Sequence, residues 1–132
     1  MFQALTWARD PFAVWAWLAE HIEDAPDGEN NRFDVAAKIN RRFGDAGPFW
    51  GNPLKRDIEG LSRTKTGRDL CGLPEKRSCE HDEAGLFTCW QLTGAGAVGA
   101  QVLMGLPMLH RLRGQFGDDL SVWPFETTQT PI

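Results

Sequence analysis

The stretch WQLTGAGAVGAQVLMGLPMLHRLRG, residues 90–114, carries the clearest local pattern in the sequence and decides the predicted fold. A turn of small residues is followed by a run with apolar residues at helical spacing. The flanking segments LFTCWQLT (86–93) and LSVWPFET (120–127) are rich in aromatic and β-branched residues, which is typical of strands. Residues 86–127 therefore predict a strand–helix–strand unit.

Two residues disturb the predicted helix in this unit. Gly105 and Pro107 lie inside it, and a proline lacks the N–H that an α-helix needs. We therefore expect the helix to kink or to begin again near Leu106.

Two further helices are predicted upstream. In RDPFAVWAWLAEHIED (9–24), Asp10 is a favourable N-cap and Pro11 suits the first turn. Apolar residues surround this helix, which indicates either burial or a partner-binding surface: Phe12, Val14, Trp15, Trp17, Leu18 and Ile22. RFDVAAKINRRFG (32–44) has an apolar stripe and ends in Gly44, which suits a helix C-terminus.

Residues 55–85 have few apolar residues and no clean periodicity, and they predict a long surface loop. The predicted fold is therefore mixed α/β in a single domain, residues 1–132: two N-terminal helices, a long loop, then strand–helix–strand.

Composition narrows the function classes. The net charge of −4 provides no overall basic field, so nucleic acid is an uncertain partner. No apolar run reaches the ~18–20 residues of a membrane span, and the N-terminus does not have the pattern of a signal peptide. Three cysteines, an odd number, favour a reduced cytoplasmic location.

The spacing of Gly94, Gly96 and Gly99 matches G-x-G-x-x-G, which binds a dinucleotide pyrophosphate when it joins a strand to a helix. Here Thr88 and Gln91 make the preceding segment too polar for a central parallel strand. The interpretation we favour is structural: the glycines allow a sharp turn into a closely packed helix. Nucleotide binding at these glycines is the alternative.

Four residues resemble a metal site in type but not in spacing: Cys71, Cys79, His81 and Cys89. Zinc ligands usually come in pairs separated by two to four residues, which these are not. The acidic run EHDE (80–83) suggests cation binding, but such runs are usually solvated loops. We predict no metal site.

Three segments together resemble an uncharacterised proteobacterial family: GPFWGNP (47–53), the stretch from Trp90 to Arg113, and VWPFET (122–127). That family is similar to predicted nucleases of ribonuclease H-like fold, and some of its members carry a cobalamin-biosynthesis label. The resemblance implies that the chain is part of such a domain and that Glu126 is a metal-facing catalytic carboxylate. The acid-bearing segments expected before and after this region are absent, so the resemblance implies a fragment or a shortened, non-catalytic relative.

Three functions follow as hypotheses, with the cofactor left unknown. The first is a fragment or degenerate relative of a ribonuclease H-like nuclease. The second is a small nucleotide-binding module that uses Gly94–Gly99. The third is a non-catalytic interaction protein whose Trp-rich first helix docks on a partner, either a second copy or a missing chain segment, because a thin domain leaves such a helix partly uncovered.

Overall fold

The computed structural model describes residues 9–44 and 46–126. Its α-helices are α1 (Pro11–His21), α2 (Arg32–Asn40), α3 (Ser78–Asp82) and α4 (Gly99–Phe116), and 3₁₀ turns span Lys65–Gly67 and Gly117–Asp119. Over these residues, β pairing occurs only as isolated bridges. The described chain is thus helical, with long irregular connections.

The predicted mixed α/β fold with its strand–helix–strand unit is wrong. In residues 86–93 the chain turns at Cys89–Trp90, because the amide of Gln91 donates to the carbonyl of Thr88 (3.2 Å). In residues 120–126 the amides of Phe125 and Glu126 both donate to the carbonyl of Val122. The first segment pairs with another part of the chain only through an isolated bridge between Gln91 and Trp50, and the second closes into a local turn. No sheet therefore forms in the described residues, and a ribonuclease H-like domain is not supported.

Helix α1 begins where the sequence predicts. The Asp10 side chain accepts a hydrogen bond from the amide of Phe12 (2.9 Å), and Pro11 occupies the first turn. Val14, Trp15 and Leu18 are buried in the core. Of the two alternatives that the sequence left open, burial and a partner-binding surface, burial therefore applies to these three side chains.

Helix α2 ends at Asn40, before the predicted Gly44, because the chain tightens into turns there: the amides of Arg42 and Phe43 donate to the carbonyls of Ile39 and Asn40. The side chain of Asn40 joins the helix to two loops. Its amide donates to the carbonyls of Phe49 (2.9 Å) and Gly60 (2.7 Å), and its oxygen accepts from the amide of Phe49 (2.9 Å). Asn40 is fully buried, so these bonds form in a region without competing water. Gly47 packs directly against it: a Cβ there would lie 2.3 Å from that of Asn40.

The connection from α2 to α4 is ordered around Trp50. The Trp50 amide donates to the carbonyl of Trp90 (3.1 Å), and its carbonyl accepts from the amide of Leu92 (3.0 Å). The next amide, that of Gly51, donates to Ser62 (2.8 Å). The segment predicted as a surface loop therefore includes α3, a 3₁₀ turn and residues that contact the core.

Helix α4 packs against α1 and α2. It continues from Gly99 to Phe116 through Pro107, so of the two expected outcomes, a kink or a restart near Leu106, the restart is wrong. Pro107 lies on the buried face with Ala100 and Leu103. One hydrophobic cluster joins α1, α2, α4 and the loop residues Phe49, Leu61, Trp90 and Leu92.

Candidate functional site

The glycine turn is compact, and the chain itself occupies the space beside it. Gly94 and Gly96 have positive φ angles of 109° and 82° and are exposed. A Cβ on Gly96 would lie 2.5 Å from the ring of Phe87, so that ring covers the glycine. A pyrophosphate binds such a turn by lying close to the glycine backbone. Here the ring of Phe87 already occupies that position.

Gly99 has a different role, because it is the first residue of α4 and is buried. Its amide donates to the carbonyl of Gln91 (3.2 Å). A Cβ at this position would lie 2.5 Å from that oxygen and 2.6 Å from the carbonyl oxygen of Cys89. The absence of a side chain therefore lets the helix start directly against the preceding loop.

The resemblance implied a metal-facing role for Glu126, but its carboxylate pairs with Arg113. It accepts hydrogen bonds from Nε (3.1 Å) and Nη2 of Arg113, and from the amide of Val122 (3.0 Å). These bonds, foremost those from Arg113, hold the pKa of Glu126 below its ordinary value. In this geometry the carboxylate stabilises the turn at 122–126.

The cysteines do not converge on a metal site in the described part of the chain. No group of three or more His, Cys, Asp or Glu side chains there is arranged to hold a metal ion. All three cysteines are free, with Cys79 exposed and Cys71 and Cys89 half-buried. In the acidic run 80–83, Glu80 is buried, whereas the other three residues are exposed.

An apolar pocket of about 310 Å³ lies between α1, α4 and the Cys89–Trp90 turn. Its size is at the lower end of the range for small-molecule sites, and such sites usually have mainly apolar walls. Apolar side chains from three segments form most of the wall: Val14, Trp15, Leu18, Trp90, Leu103 and Leu106. Gly99 also borders the pocket, so one of the three motif glycines contributes to this site.

Arg77 and Cys89 add polar groups to the pocket wall. Arg77 donates from Nε (3.0 Å) and Nη2 (2.6 Å) to the carboxylate of the buried Glu80, which also accepts from the Arg77 amide (2.8 Å). Although burial raises the pKa of Glu80, these hydrogen bonds keep it below its ordinary value. Burial raises the pKa of the Cys89 thiol to about 11. At neutral pH this region therefore contains a compensated ion pair and an uncharged thiol.

Phe125 lies at the edge of the pocket and connects it to the turn held by Glu126. Its ring meets the ring of Phe12 edge-on, with centroids 5.9 Å apart. The guanidinium of Arg113 lies 3.9 Å from the centroid of Phe12. The Arg113–Glu126 pair thus supports the aromatic border of the pocket.

Sequence reasoning did not assemble this pocket, because its residues come from separate segments. One local signal was available. Glu80 follows Arg77 by three residues at the start of α3, the pattern of a capped helix N-terminus. Only the glutamate half of that pattern is present, because arginine has no side-chain acceptor: it accounts for the bond between the Glu80 carboxylate and the Arg77 amide. It does not predict that both residues lie beside Cys89.

Comparisons with models of protein families, with curated proteins and with solved structures find no match. The resemblance to the predicted nuclease family stays a prediction. In the described residues, no helix has the length and apolar character needed to cross a membrane.

Proposed function

We propose that the protein is a non-catalytic binding module that holds a small, uncharged, apolar molecule in the pocket between α1 and α4. The observation that carries the proposal is the largely apolar wall, with polar groups confined to Arg77 and Cys89. A pocket of this kind, bordered by groups with shifted pKa values, is the usual form of a small-molecule site. Like the nucleotide-binding alternative, this proposal makes the protein a small-molecule-binding module, but its site is the apolar pocket and not the turn at Gly94–Gly99.

The charge of the pocket supports an uncharged ligand. The positive charge of Arg77 is already balanced by Glu80, and the Cys89 thiol is neutral because its pKa is about 11. A ligand carboxylate would therefore enter an apolar space without a free counter-charge, at a cost of several kcal/mol before compensation. A hydroxyl or carbonyl group needs only one hydrogen bond.

Two ligands of equal length test this preference. We expect 1-octanol to raise the melting temperature saturably and octanoate to bind at least ~10-fold more weakly at pH 7. At ~100 times its dissociation constant, octanol adds ~2.7 kcal/mol to the free energy of unfolding. No shift with octanol, or equal affinity for octanoate, would contradict the proposal.

A matched pair of variants locates the binding site. Leu106→Trp fills the pocket, and we expect it to abolish the octanol shift. Met104→Trp places the same ring on α4 at a half-buried residue outside the pocket lining, and it should retain the shift. A brominated octanol should also quench part of the tryptophan fluorescence, because Trp15 and Trp90 line the pocket.

The proposal does not extend to phosphoryl transfer. Two-metal chemistry needs several carboxylates that converge on the cations, and the described residues contain no such group. Glu126 is paired with Arg113. A cytoplasmic location is part of the proposal, since free cysteines are typical of a reducing compartment.

A further inference from the structure

Helix α4 has an apolar stripe on its outer face, opposite the face that packs into the core. The stripe runs from the N-cap residue Val98 to the last helical residue, and its members are separated alternately by four and three residues. This spacing is the a/d repeat of a coiled coil, in which one helix packs along another. We call these six residues the α4 seam: Val98, Val102, Gly105, Leu109, Leu112 and Phe116.

All seam residues are exposed except Leu112, which is half-buried. Val102 also lines one edge of the apolar pocket. Val98, Val102, Leu109 and Phe116 are 47%, 38%, 45% and 48% exposed. Gly105, near the middle, has no atom within 4 Å of the position a Cβ would take. A continuous apolar stripe of this length in water is typical of an interface.

From this spacing and exposure we infer that the α4 seam binds the α4 seam of a second copy in an antiparallel, two-fold symmetric pair. In an antiparallel pair each a position faces a d position. We call two seam residues that face each other a layer. If the two-fold axis of the pair passes near Pro107, every layer combines a small residue with a large one. Three pairings, each of which occurs twice by symmetry, make up the layers: Val98 with Phe116, Val102 with Leu112, and Gly105 with Leu109.

A parallel pair fits less well. It would place Gly105 against Gly105, which leaves a gap, and Phe116 against Phe116. Volume matching across layers is what gives a helix pair its packing density. The seam is therefore complementary to itself in the antiparallel direction.

The charges beside the seam agree with this arrangement. The flanking positions are Gln101, Leu106, Met108, Arg113 and Gln115. Arg113 carries the one charge among them, and in the antiparallel pair it lies near Gly99 of the second copy. No like charges then face each other, and the Arg113 charge is already compensated by Glu126.

Sedimentation of the full chain tests the interface. We expect the protein at tens of micromolar to sediment at twice its 14.8 kDa. Leu109→Glu should weaken the dimer about 100-fold or more, because the change occurs twice in a symmetric pair. Leu86→Glu is the matched control, since Leu86 has nearly the same exposure (46%) outside the seam, and it should remain dimeric. A monomeric parent protein, or a dimer unaffected by Leu109→Glu, would overturn the inference.

A mixing experiment tests the antiparallel register. Val102→Glu and Leu112→Lys should each be monomeric and retain helical circular dichroism. Mixed together, they should form a heterodimer, because one layer then pairs glutamate with lysine and the other keeps leucine with valine. A parallel pair places residue 102 against residue 102 and gives no rescue, so a failure to associate on mixing would refute the register.

Discussion

The carboxylate of Glu126 accepts hydrogen bonds from Nε and Nη2 of Arg113, which joins the turn at 122–126 to the last turns of α4. The same guanidinium lies over the ring of Phe12 in α1. The pair therefore connects three segments beside the apolar pocket, and it gives Glu126 a structural role different from metal binding.

Acidification should loosen this turn. The hydrogen bonds from Arg113 lower the pKa of Glu126 from its ordinary value of 4.5. Because the folded-state pKa is depressed, the stabilising contribution is fully present above the ordinary value and disappears as the pH falls through the folded value. We expect protection of the Phe125 and Glu126 amides against hydrogen exchange to fall over that range.

Glu126→Gln should lower this protection at neutral pH and remove its pH dependence. Asp118→Asn is the control, because Asp118 is an exposed carboxylate near the same turn and no ion pair of the described chain includes it. Unchanged protection in Glu126→Gln would show that the ion pair does not hold the turn.

Gly47→Ala should strongly destabilise the protein. The new Cβ would lie 2.3 Å from the Cβ of Asn40, and the φ angle of +61° is unfavourable for alanine. Strain costs ~1–3 kcal/mol, and disturbing the buried hydrogen bonds of Asn40 adds ~1–3 kcal/mol. We expect urea denaturation to show a loss of about 3 kcal/mol or more.

Gly28→Ala separates the two contributions. Gly28 has a similar positive φ of +87° but no atom within 4 Å of its Cβ position. The substitution should therefore cost only the backbone term, ~1–2 kcal/mol. Equal losses at both glycines would mean that the contact with Asn40 is unimportant.

Gly99→Ala should destabilise the fold whether or not a nucleotide is present. Its Cβ would meet two backbone carbonyl oxygens, those of Gln91 and Cys89, at 2.5 and 2.6 Å. Gly114→Ala, in open space on the same helix, should instead stabilise it by ~0.8–1 kcal/mol. Thermal unfolding gives both values.

NAD or ATP at millimolar concentration should leave the melting temperature unchanged. A saturable nucleotide shift that is lost in Gly96→Val would support the dinucleotide alternative.

The three cysteines should react with a thiol reagent in a fixed order. Cys79 is exposed and should react first. Burial, followed by the charge of Asp69, raises the pKa of Cys71, so it should react more slowly. The pKa of Cys89 is about 11, so only ~0.1% is thiolate at pH 8 and it should react mainly after unfolding. Mass spectrometry of the labelled peptides gives the order, and early labelling of Cys89 would contradict its burial.

The start of α1 could be predicted from the sequence because its causes lie within a few residues. Asp10 accepts from an amide two residues away, and Pro11 already has the φ of a helix. The amphipathic pattern of α2 likewise predicted a helix, but not the contacts of its last residue, Asn40. That side chain bonds to Phe49 and Gly60, which no local pattern identifies as its partners.

Tertiary contacts explain two differences from the sequence prediction: no sheet forms in the described residues, and α1 is covered by the chain itself. Aromatic and β-branched residues favour strands at 86–93 and 120–127, but a strand also needs a neighbouring strand for its backbone groups. Residues 86–93 find only an isolated bridge at Trp50, and residues 122–126 close into a turn. The apolar residues of α1 are all buried or half-buried by the chain itself, for example where Trp17 stacks on His21 at 3.9 Å. The exposed large apolar side chains lie instead on α4 and in the segments before and after it, at Leu86, Phe87, Trp123 and Phe125.

Interactions between neighbours along the chain thus account for where α1 begins, the location of α4 and the need for glycine at the turn before it. It took the packing of distant segments to bring Arg77 and Cys89 into one pocket wall with Trp15 and Leu103, and to pair Glu126 with Arg113. The physical reason is that burial and ion pairing are set by distances in space, and these residues are brought together by the packing of α1, α4 and the loop between α2 and α4.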